Sequence, residues 1–327
     1  MLIPGRFKAA RPRPLPIHSA ALVVLLASCP ARLPAQAAAA ALPLIEVAAG
    51  VFVHQGQPLA LDAAGHDDIA NVGFIVGSRC VAVIDTGGSV RVGRALRESV
   101  RRRTRRPVCY VINTHVHVDH VLGNLAFVAD KPQFIGHARL AAALTRSRDF
   151  FLSHYAQDLD APPSAAQIIA PERSVALNGA TELDLGGRVL RLRAWPTAHT
   201  DCDLTVYDTA TRTLWTGDLL FVQRTPALDG SLTGWLAVMG SLGQLQSEVR
   251  HVVPGHGPAG EDLKAALEPQ RRYLQELLDT VRGEIAHGDS LGEALKHTQA
   301  PVGSPWQLWD ETHPRNVARA YQELEWE

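Results

Sequence analysis

The segment Thr114-His115-Val116-His117-Val118-Asp119-His120 constrains this chain more than any other. It follows an apolar run, residues 108–113, that reads as a β-strand. Three imidazoles and a carboxylate so close together cannot all enter a core, because buried polar groups need partners and buried charge needs compensation. In a loop at a strand's end they can converge on a cation. Imidazole and carboxylate donors suit zinc, iron, manganese or cobalt.

Three further ligand-type residues stand after later β segments. They are His199 in Ala198-His199-Thr200-Asp201, Asp218 in Thr216-Gly217-Asp218, and His256 in Pro254-Gly255-His256-Gly257. Each has a glycine or small polar neighbour, which lets backbone approach a metal without crowding. Any one alone is weak evidence. Their order and their shared place at strand ends point to one metal centre.

The surrounding pattern is that of an α/β domain. Residues 44–47 and 51–54 read as short strands, and 71–76 with 80–85 as a hairpin. A helix over 90–102 leads to the strand at 108–113, which implies a parallel pair with a right-handed crossover. Another helix is expected from about residue 122, then a strand at 133–136 and a helix over 137–159. The second half is richer in β structure, with strands at 174–177, 181–185, 188–195, 204–208, 213–216 and 251–253. From 261 to about 287 the apolar spacing predicts an amphipathic helix. The tail reads as further helix broken by Pro301, Pro305 and Pro314. No internal repeat or linker separates a second domain, so residues 38–327 read as one domain with a helical extension from about 261.

The first 37 residues differ. Arg6, Lys8, Arg11 and Arg13 precede a wholly apolar run at 20–27, and Ala35-Gln36-Ala37 supplies small residues. That order is the order of a secretory signal peptide. The run is too short to span a bilayer, which takes about 20 residues. Cys29, in Leu26-Ala27-Ser28-Cys29, offers the alternative of a lipid anchor, with Pro30 an awkward neighbour. Cleavage after Ala37 removes five of the 32 basic residues and leaves 27 against 33 acidic ones, a formal charge of −6. The expected product is a periplasmic or secreted protein without a stable membrane span or attraction to anionic lipid.

A composition 46% hydrophobic and 20% charged excludes a mainly disordered chain. The net charge of −1 and the absence of a long basic cluster exclude a nucleic-acid binder. Arg101, Arg102, Arg103, Arg105 and Arg106 read as the solvated end of a helix. Export to an oxidising compartment requires an account of Cys80, Cys109 and Cys202. If their strands are parallel neighbours, Cys80 and Cys109 sit at similar heights and can pair; buried free thiols are the alternative. Cys202 reads as a small buried residue.

The pattern His-x-His-x-Asp-His followed by His, Asp and His resembles that of the metallo-β-lactamase superfamily, over about residues 45–256. The resemblance implies an αββα sandwich, two mixed β-sheets packed face to face with helices on the outer faces and metals at one edge. It implies a first metal on His115, His117 and His199, a second on Asp119, His120 and His256, and Asp218 bridging both. Two Zn²⁺ are expected on ligand type and resemblance, with iron or manganese as alternatives. Asp68-Ile69-Ala70-Asn71-Val72-Gly73-Phe74, Tyr110-Val111-Ile112-Asn113-Thr114-His115 and Leu228-Asp229-Gly230-Ser231-Leu232 look like the exported quinoprotein relay system zinc metallohydrolases. That name implies association with a quinoprotein dehydrogenase and fixes no substrate.

Two ions about 3.5–4 Å apart can share a hydroxide that is nucleophilic at neutral pH. Asp119 is the expected catalytic residue, holding that group by a hydrogen bond. Asp85 is expected to orient a ligand from behind, and Arg224 and Trp235 to touch substrate. His54, His66, His137, His154, His251, His287, His297 and His313 fit no ligand position. The expected function is hydrolysis of an ester, thioester, lactone or amide in a small molecule. A β-lactamase is one alternative, although Asp218 at the bridging position resembles thioesterase and lactonase branches more. A mononuclear-iron redox enzyme like the persulfide dioxygenases and a non-catalytic periplasmic partner protein are the others.

Overall fold

The computed structural model describes residues 40–300 and 304–327, with a few isolated positions before residue 12. The apolar run at 20–27, Cys29 and the Ala37 cleavage site lie outside the described residues. The chain divides into two compact units, Met1–Ala37 and Ala38–Glu327, and every element below belongs to the second.

Short runs of β-branched residues make two sheets. The first has seven strands in sequence order: β1 (Ile45–Ala48), β2 (Val51–His54), β3 (Val72–Val76), β4 (Val81–Ile84), β5 (Val108–Ile112), β6 (Gln133–His137) and β7 (Arg173–Val175). β1 to β4 run antiparallel, and β4 to β7 parallel. The second sheet contains β8 (Ala180–Asp184), β9 (Val189–Ala194), β10 (Leu204–Asp208), β11 (Thr213–Phe221) and β12 (His251–His256), in the order β12-β11-β10-β9-β8. Only its β11–β12 pair is parallel.

Side-chain alternation sorts the strands' residues into layers. Ala82 and Ile84 of β4 join Ile112, Leu192, Val206, Trp215 and Val253 between the sheets. Val81 and Val83 point the other way, into a cluster with Leu96, Val100 and Phe127. Leu96 and Val100 belong to α1 (Val90–Arg103), whose first turn is capped by Ser89 accepting from Val92 N and whose last turn carries Arg101, Arg102 and Arg103. Cations there complement the helix dipole. The two mixed sheets with outer helices are the expected αββα sandwich. Cys80 and Cys109, on the β4 and β5 strands' leading ends, are disulfide-bonded with Cα atoms 5.8 Å apart.

The helical content departs from expectation in three places. The segment after residue 117 is the single turn α2 (Val118–Val121) followed by a 3-10 stretch, Leu122–Asp130, in place of a regular helix. Gly123 is pressed against the backbone of Thr86 and Gly93, an approach that any Cβ would block. After α3 (Leu140–His154), a helix that sequence reading omitted, α4 (Leu232–Gly243), covers the second sheet. It packs there with α5 (Leu263–His287), which is followed by the short α6 (Leu291–Ala294) and by α7 (Trp309–Leu324). α7 runs through Pro314, contrary to the expected break. A proline removes one amide donor, and burial of Val317, Ala320 and Leu324 in the same cluster as α5 holds the helix together.

Candidate metal centre

The fold gathers the ligand-type residues at one edge of the sandwich. The loop after β5 and the turn α2 bring His115, His117, Asp119 and His120. The β9–β10 connection brings His199, the middle of β11 brings Asp218, and the end of β12 brings His256. One donor atom from each of His115, His117, His199 and Asp218 falls in a first cluster, and Asp119, His120 and His256 form a second. Within the first, His117 Nδ1 lies 3.1 Å from His115 Nε2 and 3.0 Å from His199 Nε2. Asp218 serves both. Its Oδ2 is 3.4 Å from His199 Nε2 and 3.2 Å from His256 Nε2, and its Oδ1 is 3.1 Å from His120 Nε2. Asp119 Oδ2 is 3.3 Å from His256 Nε2.

Each imidazole is oriented by the nitrogen facing away from the cluster. His120 Nδ1 donates to Asp85 Oδ2 at 2.8 Å, His199 Nδ1 to Ala227 O at 2.7 Å, and His256 Nδ1 to Ile69 O at 2.8 Å. His117 Nε2 donates to Asp229 Oδ2 at 3.2 Å. The Thr114 hydroxyl donates to Asp85 Oδ2 at 2.7 Å, so its oxygen accepts from His115 Nδ1 at 3.0 Å. With the inner protons given up to a cation and the outer ones kept, five imidazole lone pairs would face inward. That is the tautomer arrangement a metal requires.

A cation fits this donor set on a second count. His120 Nε2 and Asp218 Oδ1 are fully buried, yet neither has a hydrogen-bond partner. Buried polar atoms of native proteins are rarely left so, and a shared cation satisfies both. Gly255 makes room for Asp218, since a Cβ there would stand 1.8 Å from Asp218 Oδ1.

Electrostatics separates the ligands. Burial pushes His199 down to about 4 and, with His120 close by, holds His115 well below the imidazole range. Burial also opposes charge on His120, but Asp218, Asp119 and Asp85 override it and hold its pKa well above the usual value. Burial works against ionisation of Asp119 and Asp218 as well. Neighbouring imidazoles, His120 for Asp119 and His256 for Asp218 foremost, more than offset it and keep both carboxyls well below their ordinary range.

The superfamily profile described as "Metallo-beta-lactamase superfamily" matches residues 66–256, more than half of the chain, and its span holds all seven ligand-type residues. The chain belongs to that superfamily. Solved structures share the fold at low identity. The DIM-1 metallo-β-lactamase is 16% identical, with a TM-score of 0.57 over 72% of this chain and 97% of its own. The metallo-β-lactamase from Pontibacter korlensis is 19% identical, with a TM-score of 0.57 over 72% and 99%. Pisa1, a sec-alkylsulfatase from Pseudomonas sp., is 17% identical, with a TM-score of 0.62 over 86% of this chain and 50% of its own. No curated protein sequence matches the chain. As a member of the superfamily with a His/Asp metal-binding cluster, this protein is a metallo-hydrolase.

Two residues expected at the substrate surface part company. Arg224 lines a cleft beside the centre with Gln55, Ile69, His256 and Gln307, and its Nη1 lies 3.1 Å from His256 Nδ1. Burial lowers its pKa, against the pull of Asp119 and Asp218. Trp235, by contrast, has 0% of its surface exposed and cannot touch substrate. Its indole packs behind His199, centroids 5.3 Å apart, and donates Nε1–H to Leu219 O at 3.1 Å. The residue is a wall of the core because it lies on the inner face of α4, which sequence reading omitted.

Asp229 is the functional residue that sequence reasoning missed. It sits 112 positions from His117, in a motif read only for its family likeness. The histidines set aside as non-ligands are satisfied elsewhere: His54 by Asp68, His66 by Asp158, His137 by Trp195 O. Cys202 is a buried thiol whose pKa burial pushes up. Among the described residues no helix is long and apolar enough to cross a membrane.

Proposed function

We propose that this protein is an exported hydrolase that holds two zinc ions and cleaves an ester, thioester, lactone or amide carbonyl in a small molecule. The observation that carries the two-ion reading is Asp218, whose carboxylate lies between imidazole nitrogens of both clusters at 3.1–3.4 Å. His115, His117 and His199 would hold one ion and Asp119, His120 and His256 the other. When bound, such ions polarise a carbonyl and lower the pKa of water to near neutrality.

The chain's own groups then do the rest. Asp119, ionised and 5% exposed, reaches the surface of the cluster and accepts a hydrogen bond from the attacking water, fixing its lone pair toward the carbonyl. None of the histidines need act as a base, because each uses its outer nitrogen to stay in place. Arg224 stands at the cleft beside His256, where its guanidinium takes up negative charge on the substrate. The signal-peptide pattern of residues 1–37 supports export to the periplasm or beyond, and the quinoprotein relay motifs support work alongside a quinoprotein dehydrogenase.

The test is a screen of carboxyl esters, thioesters, lactones and amides, repeated after chelation and after zinc is restored. Turnover that disappears with chelator and returns with zinc supports the proposal. Zinc-loaded protein inert on all four classes contradicts it.

A further inference from the structure

The outer partners of the histidines come from two different parts of the chain. His115, His120 and His256 lean on Thr114, Asp85 and Ile69 O, all at the first sheet's edge. His117 and His199 lean instead on one loop, through Asp229 Oδ2 and Ala227 O. The same loop turns back onto the His199 backbone, Asp229 N and Gly230 N donating to His199 O at 3.1 and 2.6 Å. The Asp229 side chain is 66% exposed, so little else restrains it.

α7 grips that loop from the other side. Asn316, Arg319 and Glu323 recur at three- and four-residue intervals and therefore share one helix face. Asn316 Oδ1 accepts from Leu228 N at 2.9 Å, and its Nδ2 donates to Pro226 O at 2.6 Å. Arg319 donates from Nε to Asp229 O at 3.2 Å and from Nη2 to Gly230 O at 2.5 Å. Glu323 accepts from Ser231 Oγ and Leu232 N, both at 2.7 Å, at the start of α4. All three residues lie beyond the region matched by the superfamily profile.

We infer that α7 is a positioning element for one half of the metal centre, with Arg319 fixing the loop that orients His117 and His199. The inference rests on the two-ion reading above. Loss of the Arg319 bonds frees two carbonyls and lets Asp229 drift, so the imidazoles facing the first ion lose their fixed aim. Among the described residues Arg319 makes no hydrogen bond to the second ion's ligands, and the route from His256 towards the start of α7, through Arg224 and Gln307, is untouched by the substitution, so those ligands stay in place.

The experiment is cadmium-113 NMR with chelator competition on the full chain, comparing the unsubstituted protein with Arg319→Met and Arg319→Lys. Direct outer partners of metal ligands are worth about 10–100-fold in affinity, and Arg319 acts on them only through two loop carbonyls, so Arg319→Met should weaken the His-rich site by about tenfold, the low end of that range. The second site should change less than about twofold, and Arg319→Lys should recover part of the loss. Equal weakening of both sites, or of neither, overturns the inference. Should Arg319→Met not fold, Arg319→Gln carries the same test, because it likewise removes the paired donors to Asp229 O and Gly230 O. A single cadmium resonance in the unsubstituted protein contradicts the two-ion reading, and the affinity of the His-rich site still decides the role of α7.

Discussion

Asp85 Oδ2 lies 2.8 Å from His120 Nδ1 and 2.7 Å from the Thr114 hydroxyl, so one buried carboxylate aims ligands of both clusters. Asp85 reaches this place with a left-handed backbone, φ 51°, at the end of β4. Asp85→Ala should therefore weaken both metal sites, by about 10–100-fold each. Chelator competition measures it, and loss at only one site would contradict the shared role.

Gly255 gives Asp218 its space. In Gly255→Ala the added methyl overlaps Asp218 Oδ1, and neither backbone can yield cheaply. Overpacking of this kind costs about 1–3 kcal/mol. The variant should melt earlier and bind less than the full complement of metal, as read by calorimetry and elemental analysis.

The disulfide between Cys80 and Cys109 closes a loop with a sequence separation of 29. The chain-entropy relation gives about 3–4 kcal/mol for a loop of that length. Cys80→Ser with Cys109→Ser should lower the melting temperature by several degrees and leave metal content unchanged, since the pair stands at the sandwich edge opposite the ligands. Coupled loss of metal would contradict that separation.

His313 predicts an acid-sensitive C-terminus. Burial pushes it down to about 4, and Tyr273 OH sits 2.9 Å from its Nδ1. Unfolded, the imidazole titrates near 6.5. Between pH 6.5 and 4 the unfolded chain therefore binds more protons, and stability falls as pH falls. The loss should be about 1–2 kcal/mol once solvent screening of this half-buried group is discounted. Urea unfolding at pH 7 and pH 5 checks it: the difference should shrink in His313→Gln.

The ligand set was legible because each ligand stands beside a short apolar run and carries a local signature. Elements without such punctuation were harder to read. β11 continues past Thr216 through Asp218 to Phe221, where Gly217 looked like a stop. α4 has an apolar spacing at Leu232, Trp235, Val238 and Leu242, but Gly234, Gly240 and Gly243 argue against a helix. The Ser231 cap, accepting from Gly234 N, was the available signal. Asp229 and Arg319 left no local trace, because their importance comes from contacts 112 and 90 residues away.

Metal content per chain tests most directly whether two ions share Asp218. Protein prepared from periplasmic expression without added metal should carry about two zinc ions per chain, falling towards one in Asp218→Ala. One iron per chain would contradict the account and put redox chemistry in its place.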